Sequence, residues 1–223
     1  MKALKKFALP LLAILFIFVS TYSFQSCKPD DNENEETCDT CIFVYKPNIY
    51  IYPEQEIDLH VWLEFPKGGK VITSIPEYNN GWDIHVTPNG KINNEYNYLF
   101  YESSQPNPFQ TTEGWCVEKD QLFNFFTSNL GQYGFNNAEI KDFKDYWVPL
   151  LNDSGYYLLY PQTNEIIDQV IQLAFSEEPD NVLRLFYVIE KTETDQSENL
   201  PAPEINSFSR EGFVVTEWGV AFK

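Results

Sequence analysis

Histidine is nearly missing from these 223 residues, with only His60 and His85 present, and neither sits beside an obvious nucleophile. A Ser–His–Asp triad therefore has little to build on. No Walker loop, nucleophile elbow, HExxH pair or dinucleotide-binding glycine pattern occurs anywhere in the chain, which argues against the familiar hydrolase and nucleotide-binding chemistries. No cofactor is called for. Basic residues are scarce too, 15 Lys and Arg against 33 Asp and Glu, for a formal charge of −18. Nucleic acid is a poor partner for such a charge. Anionic lipid and polyanionic glycans are disfavoured on the same grounds, whereas neutral sugars, peptides and cations stay open.

Long apolar runs are also lacking, with one exception over residues 7–19, which Pro10 interrupts. A membrane span needs about 20 predominantly apolar residues, so this run is short for one. Lys2, Lys5 and Lys6 precede it, and Ser20, Thr21 and Ser23 follow. That is the layout of a signal peptide, expected over residues 1–26. Phe24, Gln25 and Ser26 ahead of Cys27 resemble a bacterial lipobox. The resemblance implies that Cys27 becomes the lipidated first residue, held in a membrane by two or more acyl chains.

Residues 27–40 carry Asp30, Asp31, Glu33, Glu35, Glu36 and Asp39, with no apolar residue between Pro29 and Thr37. Such a stretch cannot bury enough surface to fold and reads as a solvated, self-repelling tether. It resembles the acidic segment that sends some lipoproteins to the outer face of the outer membrane. Removing residues 1–26 takes away three Lys and no acid, so 12 bases face 33 acids and the charge becomes −21. The expected location is the cell envelope, lipid-anchored, in the outer membrane, with exposure at the cell surface as one of two alternative faces.

Besides Cys27 there are Cys38, Cys41 and Cys116, an odd number where disulfides persist. A Cys41–Cys116 bridge is the favoured expectation, because it would staple the start of the domain to the loop before its first helix. Cys38 with either partner also remains open. Cys38 and Cys41 have the spacing of a redox dithiol, but an extended Tyr-rich segment follows rather than a helix. Zinc would need a further ligand from His60 or His85.

From residue 41 to 223 the length suits one domain. Ile57, Leu59, Val61, Leu63 and Phe65 alternate with Asp58, His60, Trp62 and Glu64, the mark of a half-buried antiparallel strand. The same period recurs over 49–52, 82–86 and 96–102, with turn residues between, predicting a small sandwich-like sheet. Leu122, Phe125, Phe126 and Leu130 then follow a helical spacing, with Gly131 as its expected stop. A second helix is predicted from a capping box of Asn136 and Glu139, with Ile140, Phe143, Trp147 and Leu150 on its apolar stripe and Pro149 bending or ending it. Strand character returns over 156–160, near 170–175, over 182–190 and over 213–222. The tract 192–203 reads as an exposed loop. The expectation is a single α+β domain: an N-terminal antiparallel sandwich-like sheet, two central helices and further C-terminal strands.

Several short runs stand out together: Lys46-Pro47-Asn48-Ile49-Tyr50-Ile51-Tyr52-Pro53, Pro76 through Trp82, Tyr98-Leu99-Phe100-Tyr101-Glu102, Tyr146-Trp147-Val148-Pro149, Pro179-Asp180-Asn181-Val182-Leu183-Arg184 and Glu217-Trp218-Gly219. In that order they resemble an uncharacterised family of secreted bacterial and fungal proteins, whose members read roughly KPxIYLYP, YPxYxxGW, YLFWE, YWLP, PDxVxRxF and EWG. The chain has Tyr101 where the pattern commonly has Trp, and it lacks a second glycine after Gly219. The resemblance covers nearly all of the expected domain and implies one fold; it supplies no activity.

Strand parity singles out three charges on apolar sides. Glu102 shares its side with Tyr96, Tyr98 and Phe100, Glu217 with Phe213 and Val215, and Arg184 with Phe186 and Val188. Buried charges need partners, so Arg184 is expected to contact Glu102, Glu217 or both. A structural ion pair is one reading. The other is a catalytic pair of carboxylates, Glu102 and Glu217, lining a glycan cleft in which one keeps a raised pKa as general acid, with Trp82 and Trp218 as platforms for a sugar. Asp58 and His60 share one strand side, and Asp83 and His85 another; four metal-type ligands would converge if those strands were neighbours, though a solvated face gives the same pattern. Trp62 lies opposite the apolar side of its strand, and with Trp82, Tyr101 and Trp218 it completes the candidate ligand contacts. The function expected is binding of an extracellular glycan or protein, with a glycan-active hydrolase or a structural envelope component as alternatives.

Overall fold

The computed structural model describes residues 41–223; the expected signal peptide, lipidation site at Cys27 and acidic tether, with Cys38, lie outside the described residues. The chain forms strands β1 (Cys41–Tyr52), β2 (Ile57–Glu64), β3 (Lys70–Ile75), β4 (Trp82–Val86), β5 (Leu99–Pro106) and β6 (Trp115–Glu118) before its first helix. Helices α1 (Leu122–Tyr133) and α2 (Asn137–Leu150) follow, then β7 (Tyr156–Thr163), the short α3 (Asn164–Ile167), β8 (Gln172–Phe175), β9 (Asn181–Thr192) and β10 (Val214–Phe222). The class is α+β, as the pattern of periods predicts. Among the described residues no helix is long and apolar enough to cross a membrane.

The strands divide between two sheets. Seven make a mixed sheet in the order β3-β5-β1-β10-β9-β7-β6, and β4-β2-β8 make a smaller one. The N-terminal strands therefore do not form a sheet of their own: β1, β3 and β5 join β10 and β9, while β2 and β4 take β8 from far along the chain. Only β9 and β10 run parallel; the other pairs are antiparallel.

The large sheet is the middle of three layers, because both of its faces are apolar. One face packs Ile49, Ile51, Leu99, Phe186 and Val215 against Leu59, Val61 and Ile84 of the small sheet. The other packs Tyr50, Leu185, Tyr187 and Trp218 against Leu122, Phe126, Ile140 and Phe143 of the two helices.

Two local irregularities decide which side chains reach which layer. In β1 the pairing with β10 passes from Tyr45↔Val220 to Asn48↔Trp218, so one extra residue is inserted at a bulge where Lys46 has φ 49°. Ahead of the bulge Ile42 and Val44 face the small sheet; after it Ile49 and Ile51 do. Helix α1 runs through Gly131 and stops at Gly134, whose φ of 110° closes it with a backbone bond to the Leu130 carbonyl. The capping box of α2 is present, with Asn136 accepting from Ala138 and Glu139 and the Glu139 side chain accepting from the Asn136 N–H. Cys116 carries a free thiol, so the expected Cys41–Cys116 bridge is not made. In place of a covalent staple, the Cys116 sulfur accepts a hydrogen bond from the Gln196 N–H in the exposed loop.

Candidate functional site

Parallel pairing puts Arg184 of β9 directly opposite Glu217 of β10, on the face toward the small sheet. Both are buried, and Arg184 Nε donates to Glu217 Oε2 at 2.5 Å. The Tyr101 hydroxyl of β5 donates to Glu217 Oε1 at 2.7 Å. Arg184 Nη1 reaches Asp168 Oδ1 and the Ile171 carbonyl, each at 2.5 Å. Burial alone would lower the pKa of Arg184, but Glu217, Tyr101 and Asp168 outweigh it and hold the guanidinium charged. Burial, and then the charge of Glu217, push the Tyr101 hydroxyl well above its ordinary range. Both carboxylate oxygens of Glu217 and the Nε and Nη1 of Arg184 are engaged, with the buried Nη2 alone left without a partner, which suits a structural tie between sheet and α3–β8 connection.

Of the two expected partners for Arg184, Glu217 is met and Glu102 is not. Strand β5 begins at Leu99, and its buried side carries Leu99, Tyr101, Ser103 and Gln105 toward the small sheet. Phe100 and Glu102 point to the opposite face, so the sheet lies between Glu102 and Glu217 and the two line no common cleft. Glu102 does share a side with Phe100, but that side faces away from Glu217. The expected aromatic platforms are displaced for a related reason. Trp82, Tyr101 and Trp218 are core residues, at 2%, 0% and 0% exposure: Trp82 lies on the inner face of the small sheet, and Tyr101 and Trp218 lie on opposite faces of the large sheet, which is covered on both. Trp62 alone of the four reaches the surface, stacked on His60 with its indole N–H donated to Glu64.

Strands β2 and β4 are neighbours, as the His–Asp arrangement requires, yet the four side chains pair off instead of converging. His60 Nδ1 meets Asp83 at 2.8 Å, and His85 Nδ1 meets Asp58 at 2.9 Å. The His60 ring leans toward Trp62 and over Gly81, where even a Cβ would stand 2.4 Å from it. Among the described residues no group of three or more His, Cys, Asp or Glu is placed to hold a metal ion. The face is open and solvated, and exposed pairs of this kind stabilise little.

A different cluster forms on the helix side of the large sheet. The β1 bulge aims Lys46 across the sheet, where its Nζ lies 5.4 Å from the ring centre of Tyr98, 4.9 Å from Phe100 and 4.8 Å from Tyr146 of α2. Lys46, Ile75, Tyr96, Tyr98, Phe100 and Tyr146, with Glu95 and Asn97, line an open cavity of about 410 Å³. Lys46 makes no ion pair or hydrogen bond with the described residues. Burial lowers its pKa, against the opposing pull of Asp142 and Glu102. Asp142 is itself held by the Tyr50 hydroxyl at 3.0 Å. Behind the rings, Asn48 is fully buried between Phe100 and Trp218 in register, and neither end of its amide has a partner.

Sequence reasoning missed this cluster because a bulge is invisible to a period-two count. The available signal was that Tyr98, Phe100 and Glu102 share a side with each other. Compared with known proteins, the chain matches no family model, no curated sequence and no solved structure.

Proposed function

We propose that this chain is a lipid-anchored envelope protein, attached through Cys27, whose folded part binds an extracellular glycan or protein without transforming it. The observation that carries the binding reading is the convergence of Tyr98, Phe100 and Tyr146 on one open cavity beside Lys46. Its volume of about 410 Å³ lies within the range of small-ligand sites, roughly 300–1,000 Å³. Aromatic faces offer large apolar contact while the rim supplies polar groups for orientation. The lipobox-like residues before Cys27 and the acidic stretch after it support the envelope location.

Binding is tested on residues 38–223, which form one compact unit, by glycan array and by capture from the cell-surface protein fraction. Phe100→Ala and Tyr146→Ala are each expected to weaken binding about tenfold or more, as loss of a central aromatic contact does. Trp62→Ala, on the outer face of the other sheet, is expected to leave it unchanged. Binding indifferent to both ring substitutions would remove this site, and polysaccharide turnover by the parent would remove the non-catalytic reading. Palmitate labelling that persists in Cys27→Ala would defeat the anchor.

A further inference from the structure

Primary ammonium groups are strongly hydrated and make poor tenants of a half-buried aromatic site that offers them no acceptor. Lys46 is such a tenant, surrounded by three rings and given no acceptor by the described residues. Its position is also held at some cost, because a left-handed φ of 49° is unfavourable for a residue with a Cβ. We propose that Tyr98, Phe100 and Tyr146 form a cage for a quaternary ammonium ligand, and that Lys46 is a built-in occupant which such a ligand displaces. The inference rests on the binding reading above and names the chemistry that the same site prefers.

Distances argue for the bulkier cation. Elsewhere in this molecule a bare lysine ammonium sits 3.8 Å from a ring, Lys144 over Phe123, whereas the nearest ring to Lys46 is 4.8 Å away and the others 4.9 and 5.4 Å. The gap of about 1 Å is space that N-methyl groups would fill while keeping the charge within about 6 Å of every ring centre. The surrounding charge has the right sign. Asp142 and Glu102 act on the position of the ammonium, Glu95 lines the cavity, and the whole chain carries −18. The cavity beside the cage gives the remainder of a ligand somewhere to lie, against Tyr96 and Asn97. Self-occupancy then lowers apparent affinity by the fraction of time the cage stands open.

The test is a calorimetric titration of the full chain, in detergent free of choline headgroups, with tetramethylammonium, choline and trimethyl-lysine amide. Lys46→Met keeps an apolar stem over the rings and removes the charge. It is expected to bind tetramethylammonium about tenfold more tightly than the parent, the factor that nine-tenths occupancy by Lys46 implies, and Tyr146→Ala in that background is expected to abolish binding. Preference between choline and trimethyl-lysine separates a small-molecule or headgroup source from a protein one. A folded Lys46→Met with no gain in affinity overturns the proposal. Should that variant not fold, the parent decides: saturating tetramethylammonium must move the ring-shifted NMR signals of the Lys46 ε-methylene toward their free values, and unmoved signals overturn it. A glycan or protein bound in a Phe100-dependent way, with no ammonium binding by either form, sinks the self-occupied cage and leaves the general binding reading standing. Ammonium binding with blank arrays does the reverse.

Discussion

Glu217 has both carboxylate oxygens engaged in the core, one by Arg184 and one by Tyr101. Glu217→Gln keeps the shape and removes the charge, so Arg184 is left buried with only the partly exposed Asp168 to answer it. Breaking a buried pair in this way costs about 3–5 kcal/mol, expected as a large drop in the urea midpoint. Tyr101→Phe deletes one hydrogen bond to a charged acceptor and is expected to cost less, about 1.5–3 kcal/mol. A Glu217→Gln protein as stable as the parent would show that the tie contributes nothing. The pairing of Arg184 with Glu217 was legible in the sequence, because each sits at an apolar parity in a strongly periodic strand and buried charges seek each other. The position of Glu102 was not legible, since parity says which residues share a side and is silent on which side of the sheet that is.

Helix α1 offers a contrast between two glycines. Gly131 lies within the helix with only Ile140 Cδ1 nearby, at 3.8 Å from where a Cβ would be. Gly134 has a left-handed φ, and a Cβ there would stand 2.8 Å from that of Phe208. Gly131→Ala is therefore expected to stabilise by about 0.5–1 kcal/mol, from helix propensity, and to raise the melting temperature. Gly134→Ala is expected to lower it, at a cost of about 1–2 kcal/mol from the left-handed backbone before the clash is counted. The reverse order would place the end of α1 at Gly131, as the spacing alone suggests. The start of α2 reads better than the end of α1, because a capping box is complete within four residues, whereas Gly131 and Gly134 both offer a stop and spacing alone does not choose between them. Strands β3 and β6 escaped notice for a similar reason: Lys70–Ile75 is largely solvated and Trp115–Glu118 is four residues long, so long-range pairing defines them and no pattern announces them.

For the molecule as a whole, the buried tyrosines set an alkaline limit. Burial pushes Tyr101 and Tyr187 well above their ordinary range, raises Tyr50 and Tyr52, and moves Tyr133 to about 12. These groups keep their protons in the folded state after the unfolded chain, near pKa 10, would have lost them. Their contribution is thus fully present below about pH 10 and is lost as pH rises toward the folded values. The share of tyrosinate absorbance that belongs to the buried rings is expected to rise in one cooperative step together with loss of circular dichroism; ionisation of that share without unfolding would contradict it. The three-layer arrangement also explains why the sequence misplaced its aromatic platforms: a sheet covered on both faces hides Tyr101 and Trp218 at opposite parities alike, and Trp82 is buried beneath it on the inner face of the small sheet. The bulge at Lys46 compounds the effect. Val44 and Ile49 are five residues apart and so of opposite parity, yet both lie in the same oily stratum between the two sheets. One surplus residue acts as a phase shifter, so a charge introduced at either position would be buried in the same layer, where simple counting would place the two on opposite shores of the sheet.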